Sequence, residues 1–436
     1  MSGEKQQSHI IGVDDHLPIG KLVVLGVQHT FTMFGATVLV PLITGLDISV
    51  ALFMAGVCTL LFHLISKGKV PIFLGSSFAF IPPILAVAGM SGLGLEYAQG
   101  GIVVAGCVYL VLAALVYFFG YKRVVSFFPP IVTGPIIIII GLCLAHIALR
   151  SASEHWLVAL FTFIIVCVVS IFLKGFIKLL PVLCGLVGGY IFALAFGLVD
   201  FTDVASAAWF GIPQFTLAKF NFNAIMIVAP VAVATMVEHI GDIVAISATT
   251  DRDYMKEPGL HRTLIGDGLA SVLSAMFGGP ANTTYSENTG VLVLTGVHKP
   301  LVMRVAACFA ILMALTPKLG AIISTIPNAV IGGISIVLFG MIASIGARTL
   351  VEKKVDFTQS RNLLISAVIL VLGIGGAVLD FASDQISQFA NDAGVVYEGG
   401  ATFDFAIGTI NFSLSGLAAA AIIGIILNKI LPEKSS

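Results

Sequence analysis

Seven stretches of this chain, residues 22–46, 70–95, 97–121, 124–149, 179–199, 319–347 and 405–428, contain no Asp, Glu, Lys or Arg. A helix that crosses a bilayer needs roughly 20 predominantly apolar residues, and each stretch is long enough. Each can therefore cross a bilayer as a helix. The composition agrees, with 58% of the 436 residues hydrophobic and 10% charged, against about 25% charged in a soluble chain. The sequence therefore reads as an all-α polytopic membrane protein, and a large soluble core is excluded.

Fourteen transmembrane segments are expected, at about 21–43, 48–66, 70–89, 100–120, 128–149, 156–173, 178–198, 223–248, 263–280, 283–298, 301–317, 322–345, 362–379 and 404–428. Positive residues gather on the cytoplasmic side of membrane proteins. With the N-terminus inside, 19 Lys and Arg fall on the inner side and three, Arg150, Lys219 and Lys318, on the outer. Losing one crossing would scramble that bias, so the count and the cytoplasmic termini support each other. The expectation is a multi-pass protein of the cytoplasmic (inner) membrane, with a cytoplasmic N-terminal tail over 1–20 and an acidic exterior loop near 380–403. The tail lacks the apolar core and cleavage site of a signal peptide, so the first span is expected to act as its own insertion signal. All six cysteines, Cys58, Cys107, Cys143, Cys167, Cys184 and Cys308, fall in apolar spans without zinc-site spacing. They are expected to be small buried hydrophobes, with no exterior disulfide and no metal.

Fourteen spans divide into two halves of seven, and seven being odd, the halves must be inverted. Local similarities support such a repeat. "VQHTF" at 27–31 matches "VEHIG" at 237–241, "GSSFAF" at 75–80 matches "NTTYSEN" at 282–288, and "PPIVTGPIIIIIGL" at 129–142 matches "IPNAVIGGISIVLFG" at 326–340. The order is the same and the offsets are similar. Inverted repeats are a transporter architecture, with the site near the membrane midplane where the repeats meet. The second pair lies in segments 3 and 10 and is rich in Pro, Gly and hydroxyl residues. Pro and Gly interrupt helices, and Thr283, Thr284 and Tyr285 favour extended backbone. Short extended stretches are expected at 72–80 and 281–288, each leading into a half-helix. The start of a half-helix presents free N–H donors and a partial positive charge, suited to a small molecule with carbonyl oxygens.

Few acids lie within spans: Glu238, Asp242, Glu287 and, nearer an end, Asp267. Intramembrane carboxylates are costly and mark function by default. Glu238 and Asp242 stand at i and i+4 and share a helix face, while Glu287 lies in the broken segment of the same half. No Lys or Arg occupies a comparable depth, so these carboxylates suit proton coupling. Asp267 is expected to bond to nearby backbone or to Arg262. His29 is weighed equally as a structural and a functional histidine, and His239 is expected to pack. Phe78, beside Ser76 and Ser77, could stack on a planar ring.

"QHTFTMFGATVLVP", "GKVPIFLGSSFAF", "EHIGD" and "PANTTYSENTGV" together resemble the nucleobase/ascorbate transporter family of nucleobase:cation symporters, and within it the bacterial uracil-transporting branch. The resemblance runs from about residue 17 to 430. It implies 7+7 inverted repeats, 21–199 and 220–430, with a core domain from segments 1–4 and 8–11 and a gate domain from 5–7 and 12–14. It also implies a homodimer with an elevator-like motion, no cofactor, and a proton as coupling ion. Carried over residue by residue, Glu238 and Glu287 would hold the base. Phe78, Ser77, Tyr285, Ser286 and Ala36 would surround it, Asp242 and His29 would join Glu238 in proton coupling, and Ser335 and Phe339 would face the site from the gate. The uracil pattern has His where Asp242 stands, Gly where Ser286 stands and Tyr where Phe339 stands. Asp at position 242 is common in the purine branch, whereas the xanthine and urate branch typically has Gln where Glu287 stands.

Uracil fits this chemistry. Its two ring N–H groups can donate to carboxylates, and its two carbonyls can accept from half-helix amides. The alternative substrate is xanthine or another purine. An anion transporter would need a basic site, and an intramembrane aspartyl protease would need G-x-G-D, which "HIGD" and "LIGD" lack. No nucleotide-binding loop occurs either, so neither an enzyme nor a nucleic-acid partner is expected.

Overall fold

The computed structural model describes residues 11, 12, 15, 17–90, 92–392, 402–407 and 410–432, with 286, 377 and 379–414 as backbone alone. The first half contains α1 (Ile19–Thr44), α2 (Ile48–Ile65), β1 (Leu74–Ser76), α3 (Ile81–Ala88), α4 (Leu95–Phe119), α5 (Tyr121–Val125), α6 (Pro130–Cys143), α7 (Ala145–Ser153), α8 (Trp156–Phe172), α9 (Pro181–Ala195) and α10 (Thr202–Ser206). The second contains α11 (Phe222–Val228), α12 (Ala232–Thr250), α13 (Leu260–Met276), β2 (Asn282–Thr284), α14 (Ser286–Thr295), α15 (Pro300–Ala314), α16 (Pro317–Ser324), α17 (Asn328–Glu352), α18 (Ser360–Asp392), β3 (Thr402–Ile407), β4 (Ile410–Ser415) and α19 (Gly416–Ile430).

Six helical stretches are long and apolar enough to cross a membrane alone: α1, α2, α4, α6–α7, α11–α12 and α17. The pair α15 and α16 would count as a seventh, but it bends by 80°, where Pro317 opens a new helix. Other apolar helices are shorter, including Trp156–Phe172, Pro181–Ala195, Ser360–Gly376 and Gly416–Ile430. Segments 3 and 10 fall short because each spends residues on a strand before its helix begins.

Those strands lie inside the stretches expected to be extended. β1 and β2 pair antiparallel, with Leu74 opposite Thr284, Gly75 opposite Thr283 and Ser76 opposite Asn282. Ser77 N–H donates to the Ala281 carbonyl (2.9 Å) and Tyr285 N–H to the Phe73 carbonyl (3.0 Å), lengthening the ladder at both ends. Buried outer edges would leave polar backbone unmet. Here a hydroxyl closes each one. Thr59 on α2 accepts from Leu74 N–H (2.9 Å) and donates to its carbonyl (3.3 Å). Ser271 on α13 does the same for Asn282, at 3.1 and 3.0 Å. Each half thus holds its strand with a hydroxyl from the preceding long helix.

Three expectations require correction. The last segment is not helical from residue 404: β3 and β4 form an antiparallel hairpin, and helix begins only at Gly416. "TFDFAI" and "INFSLS" alternate aromatic or branched residues with smaller and polar ones, which is a strand signature. The exterior loop near 380–403 is helical to Asp392; residues 393–401 lie outside the described residues. Finally, Cys107 and Cys308 are exposed on helix surfaces and Cys167 and Cys184 are half-buried, so only Cys58 and Cys143 are buried hydrophobes. An apolar residue on an outer helix face needs no burial when lipid is the solvent.

Most of the N-terminal tail, 1–10 with 13, 14 and 16, lies outside the described residues. Ile11 forms a parallel bridge to Val297, Lys299 Nζ donates to the Asp15 carbonyl, and Leu17, Leu25, Val297 and Val302 close a small apolar cluster beneath.

Candidate functional site

Because β1 and β2 are antiparallel, the helices that follow them leave in opposite directions. Their N-termini therefore face each other across the strand pair. The turn that opens at Phe78 has Ser77 as its N-cap, and α14 has Tyr285; neither cap residue supplies a side-chain hydrogen bond to the helix start. Free helix-start N–H groups carry a partial positive charge; in α14 the Glu287 N–H meets its own carboxyl, and neither cap side chain covers the rest. Gly75 permits the close approach. A Cβ there would lie 2.4 Å from the Tyr285 ring. That ring is itself held, since Tyr285 Oη donates to the Ser76 carbonyl (3.0 Å) and Ser76 Oγ to the Thr37 carbonyl of α1 (3.0 Å). Tyr285, 4% exposed, thus braces the strands with its side chain, while its N–H extends the ladder.

The acids approach this junction from α12 and α14, which pack together. Glu238 lies within electrostatic reach of Asp242, Asp267 and Glu287. Asp242 Oδ2 accepts a 2.6 Å hydrogen bond from Thr284 Oγ1 of β2. Glu287 is in the first turn of α14, where the helix dipole favours a carboxylate. Among the described residues, neither Glu238 nor Glu287 accepts a hydrogen bond from another side chain or pairs with a cation. Both are half-buried. Glu287 is met by its own backbone N–H, and neither carboxyl has a side-chain donor among the described residues, an arrangement that leaves acceptor capacity open for an arriving donor.

The remaining expected residues sit around these. Phe78 packs edge-on against Phe339 of α17, with ring centroids 5.9 Å apart. Ser335 precedes Phe339 by one turn and shares its face. Ser77, Thr283 and Ser335 are buried, and their hydroxyl oxygens lack partners among the described residues. Ala36 and His29 lie about two turns apart on α1, both buried. The backbone of Ser286 opens α14; its side chain lies outside the described residues.

Sequence reasoning missed the buried pair of His239 and Asp267. His239 Nδ1 is 3.2 Å from Asp267 Oδ2, and both side chains are fully buried. The ring N–H is not aligned for a hydrogen bond, so this is a close polar contact. His239 also stacks edge-on with Tyr109 at 6.4 Å. The expected Arg262 partner for Asp267 is instead engaged elsewhere, donating to the Ile65 carbonyl (3.2 Å). A histidine facing away from Glu238 toward the next helix was the available signal.

A family model described as "Permease family" (Xan_ur_permease) matches residues 20–381. Similar proteins include the uracil permease of Bacillus caldolyticus, 43% identical over 98% of this chain and 95% of the relative. The uracil permease of Bacillus subtilis (strain 168) is 42% identical over 97% and 95%, and that of Escherichia coli (strain K12) 37% over 87% and 90%. Among solved structures, the transmembrane domain of a cyanobacterium bicarbonate transporter, BicA, aligns with a TM-score of 0.63 at 18% identity, covering 82% of this chain and 95% of that one. Murine Slc26a9, an anion transporter in the inward-facing state, aligns at 0.62 and 10% identity, covering 94% and 68%. These two likenesses concern the fold alone. The chain is a multi-pass membrane transporter and not an enzyme, and it belongs to the xanthine/uracil-type permease family, the nucleobase/ascorbate transporters that its motifs resemble.

Proposed function

We propose that this chain is a proton-coupled symporter that imports uracil across the cytoplasmic membrane by alternating access. The observation that carries the reading is the junction itself: two half-helix starts without a side-chain cap face each other across β1 and β2, with Glu238 and Glu287 beside them lacking side-chain donors among the described residues. Uracil has the complementary pattern. Its N–H groups donate to the carboxylates in charge-assisted bonds, roughly twice as strong as neutral ones, and its carbonyls accept from the backbone near Phe78 and Ser286. Phe78 and Phe339 would offer apolar walls, and the hydroxyls of Ser77 and Ser335, without partners among the described residues, are available to the base. The names of the relatives at 37–43% identity support uracil.

Proton coupling is assigned to Glu238 and Asp242, with His29 as the third member of that group. The architecture we infer is fourteen segments in two inverted repeats, 21–199 and 220–430, with both termini cytoplasmic. Segments 1–4 and 8–11 form the core carrying the site. Segments 5–7 and 12–14 form a gate against which the core moves, and two copies assemble as a homodimer. The matching use of Thr59 and Ser271 on the two strands supports the repeat.

Xanthine is the second reading, favoured by Asp242 alone. The test is uptake of labelled uracil into reconstituted vesicles under an imposed proton gradient, with thymine, xanthine and adenine as competitors. Uptake is expected to follow the gradient and to be blocked by unlabelled uracil. Uptake blocked by xanthine and not by uracil would reassign the substrate.

A further inference from the structure

Asn288 follows Glu287 in α14 and is 1% exposed, as is His29 on α1. Its Nδ2 lies 3.1 Å from His29 Nδ1 and 3.3 Å from the His29 carbonyl oxygen. A carbonyl oxygen can only accept, so the group facing it must be the amide NH₂. Turning the amide over would set two carbonyl oxygens against each other and leave two buried donors unmet. As oriented, only Oδ1 lacks a partner among the described residues. The amide orientation is therefore fixed by the backbone of His29 and not by the ring. With one N–H on the carbonyl, the other points at Nδ1, which must hold the lone pair. The ring is then a neutral imidazole carrying its hydrogen on Nε2. The elements packed on α1 include α14 with Glu287 and α15 with Arg304; Arg304 donates to the Gly68 carbonyl, and among the described residues neither forms an ion pair with this ring. Thr30, next in α1, donates to the Gly26 and Ala306 carbonyls at 2.9 and 3.3 Å, so α1 is also tied to α15 here.

We propose that Asn288 is a positioning residue: it fixes His29 in the Nε2–H tautomer and ties the half-helix that carries Glu287 to α1. The proposal rests on the site reading above and narrows it. His29 takes part in coupling as a fixed N–H donor, and the proton is carried by the acids. Asn288 holds Glu287 in place by joining a broken helix, free at its start, to a continuous one.

The test is nitrogen NMR of protein labelled with ¹⁵N-histidine in lipid nanodiscs. The His29→Gln variant identifies the His29 signals among those of nine histidines. The wild-type ring is expected to show the Nε2–H tautomer throughout the range of about pH 5 to 8 in which an ordinary histidine titrates. In Asn288→Asp the carboxylate cannot donate, so the ring should gain a proton at Nδ1. In Asn288→Ala, which needs no charged partner, it should show mixed tautomers. Uracil affinity by calorimetry should fall roughly 5- to 150-fold in both variants, the loss expected for two neutral hydrogen bonds. A wild-type ring in the Nδ1–H form, a ring that titrates across that range, or a spectrum unchanged in both variants would overturn the proposal. The spectra need no substrate. A wild type with the expected tautomer that fails to bind uracil would therefore count against the uracil reading and leave the role of Asn288 standing.

Discussion

At the scale of single residues, the acids divide by what touches them. Glu287 accepts from no other side chain among the described residues, so Glu287→Gln should leave thermal stability nearly unchanged. It should weaken uracil binding, because a lost charge-assisted bond costs about 1.5–3 kcal/mol, or roughly 10- to 150-fold in affinity. Calorimetry on purified wild type and variant checks this, and a change within about twofold would place the site elsewhere. Asp242 differs, since it accepts from Thr284. Asn keeps an acceptor oxygen for that bond, so Asp242→Asn should preserve β2 and uracil binding while altering the pH dependence of uptake. Asp267 differs again. It is buried against His239, and removing one member of a buried pair strands the other. Asp267→Leu should lower the melting temperature sharply, whereas Asp267→Asn should be milder. Glu238, Asp242 and Glu287 stand out in the sequence as site candidates because carboxylates within apolar spans are costly, and the structure brings them to one junction. The contacts of His239 with Asp267 and of Asn288 with His29 were not legible there, because each joins residues from different helices and periodicity carries no information about which helices meet.

At the scale of elements, the strand pair is the part most exposed to a single substitution. Gly75 accepts no side chain without moving the Tyr285 ring, which its bond to Ser76 holds in place. Gly75→Ala should therefore spread β1 from β2, costing about 1–3 kcal/mol as overpacking does, and should abolish uracil binding. Gly340→Ala on α17, where a Cβ would meet nothing within 4 Å, should change neither stability nor binding. A thermal melt and a binding isotherm on each variant decide it, and equal behaviour of the two would mean that the strand junction does not form the site. β1 and β2 were legible because Pro, Gly and Thr are poor continuations for a spanning helix and leave few other roles at that depth. The hairpin of β3 and β4 was masked by its apolar content, which satisfies a hydropathy window as well as a helix does. The bend between α15 and α16 was masked because each part is apolar and only Pro317 marks the break.

At the scale of the whole molecule, the fold is shared with a bicarbonate transporter domain and an anion transporter at 18% and 10% identity, so the fold does not choose the cargo. In the proposed reading the residues at the strand junction do, and here they are carboxylates beside helix starts without a side-chain cap. That pairing makes a quantitative claim about energy. If one proton enters with one neutral uracil, a membrane potential of 100 mV contributes about 2.3 kcal/mol, and one unit of pH difference contributes about 1.4 kcal/mol. The sum, about 3.7 kcal/mol, supports accumulation of roughly 500-fold. Vesicles containing the purified protein should concentrate labelled uracil toward that limit when the outside is acidic and the inside negative. Abolishing either component should reduce the plateau by its own factor, about 10-fold for the pH difference and roughly 50-fold for the potential. Glu238→Gln vesicles should equilibrate uracil slowly without concentrating it, because the amide keeps the size of the side chain and cannot carry the proton. A plateau that survives a proton ionophore and follows a sodium gradient would rule out protons as the coupling ion, while leaving the proposed uracil site at the junction of β1 and β2 untouched.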